Sequence, residues 1–200
     1  MGSYYSGGGI GAPRASLKII GNLDEMTQHW SPEERKAKRR IVCFSRSQKG
    51  ANVRTSFRPI SISDYVISST CISCIFWEAK QDFYVTSVDC IFLLEQLINS
   101  RFTVEEKNRI RRNLEGYRPL TVSKGKAGSE EFFKLIMSFP NPKPRNIEKD
   151  VKVFPWKVLA QALKKIVSKY SASYHSFMET VPAADPMMGY AQNQADGSSY

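Results

Sequence analysis

Residues 70–99 read TCISCIFWEAKQDFYVTSVDCIFLLEQLIN, and this stretch decides the fold class. Thr70 to Trp77 is rich in β-branched and aromatic residues, and so is Phe83 to Val88; such side chains suit a pleated, half-buried strand. Ala79, Lys80, Gln81 and Asp82 between them fit a hairpin connection. The pattern then changes. From Asp89 to Asn99 the chain is strongly apolar, and Ile91, Leu94, Leu97 and Ile98 predict a helix facing a core.

Upstream, Val53, Thr55 and Phe57 alternate with polar residues as a half-buried strand does, and Pro59 is expected to end it. Ser31-Pro32-Glu33-Glu34 is a helix start, with an N-cap serine, proline at the first helical position and glutamate three residues after the cap. That helix is expected to run to about Arg46. Downstream, three further helices are predicted. Thr103 and Glu106 form a capping box for the first, which closes at Gly116. The second starts at Ser129 and stops at Pro140, with Glu130 and Glu131 suited to the positive end of its dipole. The third runs from about Pro155 to Tyr170, with Leu159, Leu163, Ile166 and Tyr170 on one face and Lys157, Lys164 and Lys165 away from it. The predicted fold is therefore α+β, a small antiparallel sheet built on the hairpin at about 70–88 and packed with about five helices.

Residues 16–175 are expected to form one basic globular domain. Residues 1–15, rich in Gly, Ser and Tyr, and residues 176–200, an acidic stretch, read as disordered tails with too little apolar surface to offset the entropy of ordering. No run approaches the ~18 apolar residues of a membrane span, and a soluble intracellular chain is expected. The net charge is +10, from 29 Lys and Arg against 19 Asp and Glu. The excess is uneven: residues 31–169 hold 27 basic and 14 acidic side chains, while the last 31 residues hold three acids and no Lys or Arg. Such a body attracts polyanions. Charge alone does not choose among DNA, RNA, an acidic protein and anionic lipid.

The richest basic region is 101–126, with eight basic and three acidic side chains. On the predicted helix from Thr103, Ile110 and Leu114 mark the buried side. Asn108, Arg109 and Arg112 fall largely on the other side, flanked by Lys107 and Arg111. Arg and Asn pair bidentately with guanine and adenine edges in the major groove, so Asn108, Arg109 and Arg112 are candidate base contacts. Lys107, Arg111, Arg118, Lys124, Lys126, Lys143 and Arg145 are candidate phosphate contacts, the last two in the proline-set loop Asn141-Pro142-Lys143-Pro144-Arg145. The bland alternative for the helix is a solvated face.

Other chemistry is poorly supported. Cys71-Ile72-Ser73-Cys74 lacks the second close pair of a structural zinc site, and residues three apart on a strand point to opposite faces; small buried cysteines are the better reading. His29 and His175 lie outside the best-patterned region and leave no His-based triad. Ser123-Lys124-Gly125-Lys126 lacks the spacing of a phosphate loop. No enzyme activity, metal, cofactor or small-molecule substrate is expected. Lys36-Ala37-Lys38-Arg39-Arg40 has the composition of a nuclear import signal.

Three blocks carry a family resemblance: ISCIFWEAKQDFYVTSVDCIFLLEQLI, RFTVEEKNRIRRNLEGYRPLTVSK and FFKLIMSFPNPKPRNIEKDVKVFPW. They resemble the domain of fungal developmental regulators of the Medusa type, over roughly Leu17 to Tyr174. The chain departs from that family at Arg35 and Ser45, where its members tend to carry aromatic residues. The resemblance implies a nuclear transcriptional regulator of sporulation and morphogenesis; it carries over no contact residues. Double-stranded DNA is the expected partner. The alternative is a protein-interaction module that recruits other transcriptional regulators through its basic face.

Overall fold

The computed structural model describes residues 15–143 and 147–180, with side chains through 169. Of the expected tails at 1–15 and 176–200, residues 1–14 and 181–200 lie outside the described residues, while residues 176–180 are helical rather than disordered.

The first helix begins as its sequence requires and ends early. Ser31 Oγ accepts from the Glu34 N–H at 3.1 Å, and Glu34 Oε2 accepts from the Ser31 N–H at 2.7 Å. Helix α1 then spans only Pro32–Ala37, because Lys38 turns left-handed at φ 52°. The next residues form strand β2, Arg39–Lys49. The expected helix to Arg46 is thus corrected: Ile41, Val42 and Phe44 are buried strand residues, and the β-branched pair favours the extended backbone.

The expectation of a small hairpin sheet is also overturned. Seven strands form one mixed sheet in the order β1-β3-β2-β4-β5-β7-β6. Strand β1 is Ser16–Ile20, β3 Asn52–Ile60, β4 Thr70–Trp77, β5 Asp82–Thr86, β6 Leu120–Ser123 and β7 Asp150–Pro155. Only β1 and β3 run parallel; every other pair is antiparallel. The α+β arrangement stands, and the hairpin of β4 and β5 lies at the centre of the sheet rather than constituting it. Pro59 does not end β3, which continues to Ile60. Strand β1 pairs only as far as Ser56, so the proline lies beyond the doubly paired part of β3, where a missing donor is tolerated.

Helices α2 (Ser87–Ile98), α3 (Val104–Glu115), α4 (Glu130–Ser138) and α5 (Leu159–Thr180) follow. The strand alternation divides the core. Val42, Phe44, Ile72, Cys74, Val85 and Phe154 point to one face and pack with α2, α3 and α5. Ile75, Trp77, Tyr84, Val122, Val151 and Val153 point to the other and pack under Phe132, Phe133 and Ile136 of α4. Trp77 stacks on Phe132 with centroids 4.3 Å apart and planes 5° from parallel. Where β5 ends, Thr86 caps α2 by accepting from the Asp89 N–H at 3.1 Å. The buried Asp89 then accepts from the Ser73 N–H at 3.3 Å, on the side of β4 that β5 has left.

Candidate nucleic-acid interface

Helix α3 carries the expected sidedness. Its capping box is formed by Thr103 and Glu106. Ile110 and Leu114 are buried, and Asn108, Arg109, Arg111 and Arg112 are exposed. Asn108 Oδ1 accepts from Arg111 Nη1 at 2.8 Å, three residues along the helix. Lys107 is different. Its Nζ lies 3.1 Å from Oε1 of Glu95, which is only 6% exposed and also accepts from the Phe102 N–H. This lysine neutralises a buried carboxylate, which separates it from the exposed row.

Helix α5 extends that row with two lysines that sequence reading assigned merely to its polar side or did not single out. Lys169 Nζ donates to Asn113 Oδ1 at 3.2 Å, and the Asn113 amide donates to the Arg109 carbonyl at 3.1 Å. Lys165 Nζ sits 5.5 Å from the centre of the Tyr117 ring. Arg109, Asn113, Lys165 and Lys169 thus belong to one ridge where α3 and α5 meet. No spacing within either helix shows this, because the pairing is tertiary. At the C-terminal end of α3, Glu115 is ion-paired with Lys152 of β7.

The loop residues do not all adjoin α3: the turn holding Lys124 and Lys126 leads into α4, where Lys124 acts on Glu130. Arg118 is exposed with a left-handed backbone at φ 52°. Lys124 and Lys126 are exposed in the turn from the edge strand β6 to α4, and Lys126 Nζ reaches the Thr121 carbonyl at 3.4 Å. Lys143 is exposed too, but its loop belongs to the α4 side, beside Cys71 and Ser73. Buried Arg39 anchors that loop. It donates to the Pro140 carbonyl at 2.9 Å and to the Pro142 carbonyl, and its guanidinium lies 4.6 Å from the Phe139 ring centre. Burial pulls Arg39 down to about 10, against the pull of Asp89. Arg145 lies outside the described residues. Lys143 and α3 therefore do not form the single basic surface that adjacency in sequence suggested.

A second basic surface lies on the sheet face that carries α4. Helix α4 covers the β4–β6 part of its sheet face and leaves β1 and the adjoining ends of β3 and β2 open, beyond the buried Arg39, Ile41 and Ile60. Lys18, Arg54, Arg58 and Lys49 are exposed on this open part, and the three strands contain no Asp or Glu. The strand register sets Lys18 beside Arg54 and Arg58 beside Cys43. The alternation of Arg54, Ser56 and Arg58 was the available signal.

Two motifs change meaning. Of the basic cluster at 36–40, Arg39 and Arg40 are each 5% exposed and committed to internal partners. Cys71 and Cys74 are buried on opposite faces of β4, in separate apolar clusters. Among the described residues no group of three or more His, Cys, Asp or Glu could hold a metal ion, and no helix is long and apolar enough to cross a membrane.

The architecture defines an α+β domain with a mixed seven-stranded sheet and two separate basic surfaces. The chain belongs to the family described as Domain of unknown function (DUF7082), whose model matches residues 13–167. No curated protein and no solved structure matches the chain. The family description assigns no activity, partner or compartment.

Proposed function

We propose that this chain is a duplex-DNA-binding domain of a nuclear transcriptional regulator of the Medusa type, acting in fungal development and having no catalytic role. The observation that carries the reading is the α3–α5 ridge. Ile110 and Leu114 anchor α3 in the core, leaving Asn108, Arg109 and Arg112 outward for base edges. Lys165 and Lys169 join the phosphate-contacting set with Arg111, Arg118, Lys124 and Lys126. Lys107 leaves that set because Glu95 engages it. The three blocks that resemble the Medusa domain supply the proposed biological setting. The test is a titration against duplex DNA at two salt concentrations. Binding that weakens steeply with salt supports the reading; absence of duplex binding at low salt rejects it.

The open sheet face favours a second reading, a module that docks an acidic segment of another regulator. Lys18, Lys49, Arg54 and Arg58 form a basic surface with no acid in its strands. Charge reversal at Arg54 and Arg58 separates the two readings: it abolishes capture of an acidic peptide while leaving the α3-dependent DNA affinity in place.

A further inference from the structure

We propose that Cys43 and Cys71 are a redox modification site, a thiol pair that hydrogen peroxide converts to a cross-strand disulfide between β2 and β4. The register sets these residues directly opposite one another. The hydrogen-bond phase decides whether a bridge fits. Phe76 N–H donates to the Lys38 carbonyl at 2.9 Å, next to the Arg39–Ile75 pair. Opposite pairs alternate along an antiparallel ladder between hydrogen-bonded and non-hydrogen-bonded. Counting from Lys38 and Phe76, Cys43 and Cys71 are a non-hydrogen-bonded pair. The Ser73 N–H, two residues from Cys71, agrees: it turns away from β2 to Asp89. Such pairs have Cα atoms about 4.5 Å apart with their side chains close together, within the range of about 4.4–6.8 Å that a disulfide spans.

Neither sulfur is bridged, and Cys43 lies near enough to Cys71 to perturb its thiol. Their environments differ in a useful way. Cys43 is half-buried on the part of the sheet face that α4 leaves open, with Arg58 opposite it on β3. Cys71 is buried in the small cluster with Ile41 and Ile60. Burial and the neighbouring Cys43 push the Cys71 thiol up to about 12, while Arg58 and Arg39 pull the other way. Cys43 is therefore the sulfur that an oxidant reaches, and Cys71 the one that resolves. Cys74 and Cys90 are buried on the opposite face, and burial pushes both thiols up.

The chemistry closes without a further reagent. The Cys43 thiolate attacks one peroxide oxygen and the O–O bond breaks. Hydroxide leaves, takes up the thiol proton as water, and Cys43 becomes a sulfenic acid. The Cys71 sulfur then attacks the Cys43 sulfur; the S–O bond breaks, the S–S bond forms, and a second water carries off the Cys71 proton. Two thiols lose two electrons, and one peroxide becomes two waters.

The test maps the oxidised sites in the full chain. Reduced protein is exposed to hydrogen peroxide, alkylated, digested and analysed by mass spectrometry. The expected product has Cys43 linked to Cys71 within one molecule, with Cys74 and Cys90 alkylated; dithiothreitol restores both thiols. In C71S, Cys43 stops at the sulfenic acid and is captured by dimedone. Overturning results are a wild-type chain in which Cys43 reacts but Cys71 stays free, one in which neither reacts while the chain is folded, or a link to another cysteine. The wild-type map does not depend on any variant folding.

Discussion

Arg40 meets Glu34 through two parallel bonds, Nε to Oε1 and Nη2 to Oε2, each 2.7 Å long. Its remaining donors reach the carbonyls of Met26, Gln28 and His29 at 2.8 to 3.1 Å. One buried guanidinium on β2 thereby holds α1 and the turn before it. Arg40→Met leaves Glu34 and three carbonyls without their donor, and a loss of about 3 kcal/mol is expected in urea unfolding. A change within about 0.5 kcal/mol refutes the role.

The same pair sets an acid dependence. Burial raises the Glu34 carboxyl, but the hydrogen bond from Arg40, the Ser31 N–H and the Arg40 charge outweigh it and hold it below its ordinary 4.5. A folded-state value below the unfolded one stabilises above the unfolded value and is lost as pH falls through the folded one. Stability is thus expected to decline below about pH 4.5, and less steeply in Glu34→Gln. Equal slopes for the two proteins contradict this assignment.

Lys107 tests whether charge near α3 serves the fold or the ligand. Lys107→Ala leaves the buried Glu95 without its cation and is expected to cost about 2 kcal/mol of stability. Folded variant at low temperature should bind DNA about as well as wild type. Full stability with weakened DNA binding returns Lys107 to the interface.

On the exposed ridge the expectations reverse. Lys165→Ala with Lys169→Ala should leave the unfolding midpoint nearly unchanged, while the log–log salt slope for DNA binding falls by about 2. An unaltered slope removes α5 from the interface.

Local chemistry was legible where one element determined it. The capping boxes at Ser31 and Thr103, the β4–β5 hairpin and the buried side of α3 follow from residues within a few positions of one another. The sheet is larger than the local pattern shows because β1, β6 and β7 are short, and β6 and β7 are flanked by lysine and proline. Their strand character depends on partners distant in sequence, as when Val122 meets Val151. Arg39 and Arg40 were misread for a related reason: no local pattern shows that α1 stops at Lys38 and that both guanidinium groups turn inward. The placement of the basic loops was hidden likewise, since no local pattern shows that Lys143 lies on the α4 side of the sheet, away from α3.

The central claim is sequence-specific recognition of duplex DNA by α3, and a selection from random duplexes with wild-type and Arg112→Ala protein tests it most directly. Wild type is expected to enrich one site, and Arg112→Ala to relax the preference at one position by about 1–3 kcal/mol. Lys124→Ala should weaken binding to all sequences about equally. A wild-type selection that enriches no sequence, or an enriched site that Arg112→Ala reads unchanged, contradicts the account.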